Sequence, residues 1–180
     1  VAGSRFNRPY VRDISMSRWH TVVATNERRK NVYVCGIGSQ ARLGRMAQTQ
    51  TRFEPLRDFS ETAQTVVASS DHTLIVTTQG TVYSFGSNRM GQLGFLLEEG
   101  QGILSSSSGT KRSAATSHTG CTSLQGTIIG ANGVELDLQV TPRRVLGPLK
   151  REVVLGAAAS RIHSVAYTVD ALYTLSLIHI

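Results

Sequence analysis

The chain has 180 residues, 40% of them hydrophobic and 17% charged, which is enough for one ordinary domain with a real core and outside the range of a disordered composition. Its formal charge of +7 is uneven: residues 1–57 hold eleven Lys and Arg against three acids, and the remainder eight against nine. That excess suits an acidic protein partner, nucleic acid or an anionic membrane, although a solvated basic face accounts for it more simply.

In chain order, the first predicted strand lies around Val11–Ile14 and the second is His20-Thr-Val-Val-Ala-Thr25, a short β-branched run. The turn Asn26–Lys30 carries Arg28, Arg29 and Lys30, and Asn31-Val-Tyr-Val-Cys-Gly36 completes a hairpin. Gly36, Gly38 and Gly44 follow. A second unit repeats this plan. A strand at Thr65–Ala68 leads to His72-Thr-Leu-Ile-Val-Thr77, the turn Gln79-Gly80, the strand Thr81–Phe85, and Gly86, Gly91 and Gly94.

Residues 97–138, with Ser105–Ser108 and Lys111-Arg112, read as a low-complexity insertion too polar to order itself by burial. Beyond it come Thr141-Pro-Arg143-Arg144-Val145, a strand near Val153–Ala157, His163-Ser-Val-Ala-Tyr-Thr168 and Ala171-Leu-Tyr-Thr174. The His-to-His intervals are 52 and 91, and removing the insertion restores one period. With a third and a fourth short strand placed before each His, every unit holds four strands, the content of a propeller blade.

The expected fold class is therefore all-β, a partial β-propeller of two to three four-stranded blades with a disordered insertion. Residues 1–96 are assigned to the first two blades, 97–138 to the insertion and 139–175 to a partial third blade. The repeat register is lost at Leu175, so 176–180 is set apart as a truncated or non-native tail. The chain opens on Val1 rather than Met, which points to a segment of a longer protein.

Cys35 and Cys121 form no CxxC pair, so neither a thiolate zinc site nor a disulfide framework is expected, which fits a reducing compartment. No apolar run reaches 18 residues, and Val1–Tyr10 lacks a signal-peptide pattern. The expectation is a cytoplasmic or nuclear protein with no membrane contact.

Residues 81–94, Thr-Val-Tyr-Ser-Phe-Gly86-Ser-Asn88-Arg-Met-Gly91-Gln92-Leu93-Gly94, resemble the aromatic-Gly-x-Asn-x-x-Gly-Gln-Leu-Gly turn of the regulator-of-chromosome-condensation repeat family, in the β-lactamase-inhibitor protein II-like propeller superfamily. Asn31–Gly44 is a degraded copy, with Cys35 for an aromatic and Ala41-Arg42 for Gly-Gln. The resemblance implies a seven-bladed ring and marks His20, Gly36, Gly44, His72, Gly86, Asn88, Gly91, Gln92, Leu93, Gly94 and His163 as structural repeat positions. Residues 15–25, 147–150 and 158–167 are further similar to the repeat section of fungal proteins that join ankyrin repeats, these repeats and BTB domains, relatives of the inhibitor of Bruton tyrosine kinase. That implies a non-catalytic adaptor in ubiquitin ligase recruitment or kinase regulation. Nucleotide exchange on a small GTPase and chromatin binding are the alternatives.

Other chemistry is weaker. Gly36-Ile-Gly-Ser-Gln-Ala41 fits a loose dinucleotide fingerprint, with Asp58 twenty residues past Gly38, but no amphipathic helix pattern follows. His20, His72 and His163 occupy equivalent positions of separate units, so they read as packed residues bonded to backbone rather than a metal trio. Asp71 reads as a turn residue, and Trp19 as core cover. No catalytic residue, metal, cofactor or small-molecule substrate is expected. Arg28, Arg29, Lys30, Arg143 and Arg144 are the candidate interaction residues, with proteins as partners and nucleic acid less favoured.

Overall fold

A computed structural model describes residues 9–46, 49–95, 125–129 and 135–175. The first sheet is an antiparallel meander of β1 (Val11–Met16), β2 (His20–Thr25), β3 (Val32–Ile37) and β4 (Thr49–Pro55). The second contains β5 (Ala63–Ala68), β6 (His72–Thr77), β7 (Val82–Ser87), β8 (Gln125–Ile129) and β9 (Glu135–Arg144), in the order β5-β6-β7-β9-β8. The third holds β10 (Gly156–Ala159), β11 (Ser164–Tyr167) and β12 (Leu172–Thr174). The helical segments among the described residues are two short 3-10 turns, Ser39–Ala41 and Gly147–Arg151.

His20–Thr25 and His72–Thr77 form strands where expected, because β-branched runs fit a pleated surface and the turns break them on both sides, and the third such strand starts one residue after His163, at Ser164. The fourth strand is placed differently from the sequence reading. One strand precedes each histidine (β1, β5 and β10), and the other follows the glycine turn, as β4 in the first sheet and β9 in the second.

Two parts of the stretch read as an insertion, 97–138, are strand. Gln125–Ile129 is a strand, and β9 begins at Glu135. Glu135-Leu-Asp-Leu-Gln-Val140 alternates polar and apolar residues, the pattern of a half-buried strand, and Leu138 and Val140 are buried against Ala41 of the first sheet's turn. Residues 97–124 lie outside the described residues. Residues 139–144, assigned by sequence to the third blade, pair with β7 in the second sheet.

The core lies in two seams. Between the first and second sheets, Val22, Val34, Leu43, Phe59, Ile75 and Phe85 pack together. Between the second and third, Val76, Val82, Val145, Leu149, Ala166 and Leu175 do so. Strand β6 is buried at all six positions because it is covered on both faces, whereas β1 and β12 are not. Leu175, where the repeat pattern fades, belongs to this core, and its N–H donates to the Ser164 carbonyl at 2.8 Å. Residues 176–180 lie outside the described residues.

Candidate interaction surface

His20 and Gly36 face each other across β2 and β3, as do His72 and Gly86 across β6 and β7. The glycine is a steric requirement. A Cβ on Gly36 would stand 2.4 Å from the Trp19 carbonyl oxygen and 2.6 Å from His20 Cα, and one on Gly86 would stand 2.5 Å from the Asp71 oxygen and 2.6 Å from His72 Cα. Both glycines also hold φ above +110°. The repeat therefore keeps its His and Gly as a cross-strand pair.

The imidazoles reach from sheet to sheet. His20 Nε2 lies 2.8 Å from Thr73 Oγ1, and His72 Nε2 lies 2.7 Å from Ser164 Oγ. In each case the hydroxyl belongs to the residue after the next unit's histidine. Thr73 gives its single proton to the Arg42 carbonyl at 2.9 Å, so it accepts from His20 Nε2–H, and Ser17 Oγ, 2.9 Å away, meets Nδ1. The Nε2 contacts are thus to hydroxyls of the neighbouring sheet, whereas the sequence suggested backbone. His163 differs from both: its ring is exposed, and among the described residues it fronts a shallow groove lined by Ala158, Ala159, Ser160 and Val165 on the open side of the third sheet.

Burial, then the charges of Arg42 and His72, pushes His20 down to about 3, and burial pushes His72 down to about 4. Both rings are neutral near pH 7, fixed as sheet-to-sheet staples. Tyr83, raised to about 12 by burial and by its hydrogen bond to Glu61, is similarly held in one state.

Asn88-Arg-Met-Gly91-Gln92-Leu93-Gly94 is a self-tied turn. Asn88 Oδ1 accepts from the Leu93 N–H at 3.0 Å and its Nδ2 donates to the Phe95 carbonyl at 2.9 Å, while Gln92 Oε1 accepts from the Met90 N–H at 2.8 Å. Gly91 and Gly94 take positive φ and Leu93 fills the core beneath. In the degraded copy Leu43 and Gly44 play the same parts, but Gln40 and Ala41 carry positive φ within the three-residue 3-10 turn. The turn Ser39–Ala41 follows Gly38 but runs only three residues, and no α-helix opens where the dinucleotide fingerprint would need one.

Two loop-bearing ends result. At one end, where β2, β6 and β11 begin, lie the loops 17–19, 69–71 and 160–163. At the other lie the hairpin turns. Arg28, Arg29 and Lys30 are exposed at the hairpin end, and Arg144, also exposed, pairs with Tyr83 at the end of the neighbouring sheet. Arg143 stacks over Phe95 at 4.6 Å and is half-buried.

The sequence missed residues at the histidine end. Trp19 is 37% exposed rather than core, with the guanidiniums of Arg18 and Arg42 at 4.7 and 6.0 Å from its ring. Asp71, more than a turn residue, pairs with the buried Arg42 at 3.0 Å and so joins the first two sheets. At the hairpin end Asn31, also missed, joins the same two sheets by side-chain bonds to the Ala63 backbone at 3.0 and 3.1 Å. A His-adjacent aromatic beside an arginine was the available signal for Trp19.

Known proteins share this architecture. The model of the regulator of chromosome condensation (RCC1) repeat matches residues 64–92. BTB/POZ domain-containing protein 1 of Schizosaccharomyces pombe is 30% identical over 177 residues, covering 98% of this chain and 11% of that protein. The inhibitor of Bruton tyrosine kinase of Mus musculus is 28% identical, covering 93% and 10%. The chain thus spans about a tenth of the curated relatives it matches. Among solved structures, human WBSCR16 superposes with a TM-score of 0.64 at 20% identity, over 97% of this chain and 35% of that one. Yeast RCC1 (Prp20), solved bound to Kap60, gives 0.59 at 17%, over 89% and 31%.

Proposed function

We propose that this chain, a stretch of RCC1-repeat propeller, serves as a non-catalytic platform for binding other proteins within a larger BTB-type adaptor of the cytoplasm or nucleus. The observation that carries the reading is the stapled sheet stack. Two seams lock three sheets, and the exposed loops at both ends are carried on that frame. The two seam histidines are neutral and each engages a hydroxyl of the next sheet through Nε2, which suits a structural role better than proton transfer near neutral pH.

Similarity to BTB/POZ domain-containing protein 1 and to the inhibitor of Bruton tyrosine kinase supports the adaptor setting, in which the propeller selects a partner and the remainder of the protein supplies a ubiquitin ligase scaffold or acts on a kinase. Nucleotide exchange is the competing reading, since the Prp20p structure is described with binding to Gsp1p and histones. The intact protein should leave nucleotide release unchanged across a panel of small GTPases, and should co-purify with protein partners. Accelerated release from any one of them would replace the platform with an exchange factor.

A further inference from the structure

The charge of the two ends differs in a way the linear sequence conceals. At the hairpin end the described loops (26–31, 56–62, 78–81, 145–155 and 168–171) carry six basic residues against five acidic ones. At the histidine end the described loops (17–19, 38–46, 69–71, 88–95 and 160–163) carry five arginines, no lysine, and a single acid, Asp71. Asp71 is paired with Arg42, Arg45 reaches Glu54 of β4 at 2.6 Å, and Asp137 of β9 accepts from the Asn88 N–H through its carbonyl, so the excess of this end rests on Arg18, Arg89 and Arg161. Among the described loops, the basic residues of the hairpin end are thus nearly matched in number by acids, whereas those of the histidine end are all arginine and include the exposed Arg18, Arg89 and Arg161.

These loops form one surface. Asp71 ties to Arg42, whose guanidinium lies beside Trp19. Ser69 donates to the Ser160 carbonyl, joining the second loop to the third. The Ser87 N–H donates to the Asp71 carbonyl at 2.9 Å, fixing the 88–95 turn to the same loop. On this surface Trp19, Met90 and Ile162 are 37%, 45% and 39% exposed, and Arg18, Arg89 and Arg161 are exposed beside them in sequence. Exposed apolar side chains occur at the hairpin end too, as Leu146, Val153, Leu155 and Val169, so it is their placement beside exposed arginines that distinguishes the histidine end. Arginine, which grips carboxylates with a planar fork and is enriched with aromatics and methionine at protein interfaces, suits such a site better than lysine.

Building on the platform reading, we infer that the histidine end is its docking face, and that its partner is an acidic protein segment bearing apolar side chains. The carboxylates meet Arg18, Arg89 and Arg161, and the apolar groups cover Trp19, Met90 and Ile162. Nucleic acid is the weaker fit, because a phosphate backbone offers nothing to Met90 and Ile162.

The test places benzoylphenylalanine, a photo-crosslinking residue, at position 90 or 162 of the intact protein in its own cells, and at position 29 or 169 of the hairpin end for comparison. Crosslinked peptides are sequenced, and the yield is compared with that of an R18E/R161E variant whose melting temperature is checked. The expected result is crosslinking at 90 and 162 to Asp/Glu-rich segments with apolar residues, reduced about tenfold in R18E/R161E. Protein crosslinks confined to 29 and 169 would overturn the face assignment and leave the platform reading standing. Crosslinks at 90 and 162 to nucleic acid, or to protein segments without acidic residues, would overturn the partner class. An unchanged yield in a folded R18E/R161E would do the same. No protein crosslink at any of the four positions would remove both readings.

Discussion

Acid should loosen the sheet stack before it protonates most carboxylates, and the seam histidines set the size of the effect. In the folded chain His20 and His72 are held neutral, at about 3 and about 4, whereas the ordinary value of 6.5 applies once the chain unfolds. Between pH 6.5 and about 4 the unfolded state therefore binds more protons, so stability falls as pH falls. Each ring contributes a slope of about 1.4 kcal/mol per pH unit in that window. At pH 5 the loss is about 2 kcal/mol for each and about 4 kcal/mol for both, a large share of the 5–15 kcal/mol typical of a domain. Above pH 6.5 neither contributes a slope, and below about 4 it flattens as the folded rings themselves protonate. Urea unfolding at pH 7 and pH 5 measures the difference. His20→Asn lowers stability at pH 7 but removes one titrating ring, so its loss across the interval should shrink by about 2 kcal/mol. Equal losses in the parent and in His20→Asn would refute the assignment of His20 as a neutral staple.

Two further substitutions probe the frame. Gly86→Ala drives a Cβ into the Asp71 carbonyl and His72 Cα at positive φ, and should cost about 3 kcal/mol or more in a thermal melt. Gly147→Ala, also at positive φ but with nothing within 4 Å, should cost only about 1 kcal/mol. Asn31→Ala strands the Ala63 N–H and two carbonyls in the first seam, and should lower unfolding free energy by about 2–3 kcal/mol while leaving the circular dichroism of the sheets unchanged.

The parts of this fold that were legible in sequence are those that close locally. A His and its facing Gly lie on adjacent strands of one hairpin, so the pair recurs at a fixed offset and the β-branched runs between them stand out. The Asn88–Gly94 turn was equally plain because it bonds to itself. Features that depend on distant chain were not legible. The low-complexity stretch hid the pairing of β9 with β7, although the alternation in residues 135–140 was there to be read. The guanidinium of Arg42 reaches the Trp19 ring from the turn that follows β3. His163 looks like its two counterparts in sequence, and it differs because no described sheet covers it. The docking face was missed for a related reason: a linear charge run does not show which loops gather at one end of the sheets.

The account depends on sheets that are locked face to face by a histidine of one and a hydroxyl of the next. A double-mutant cycle on His72→Asn and Ser164→Ala, 92 residues apart and joined at 2.7 Å, tests this most directly. A coupling energy of about 1 kcal/mol between the two substitutions is the predicted result. Strict additivity, within about 0.3 kcal/mol, would contradict it.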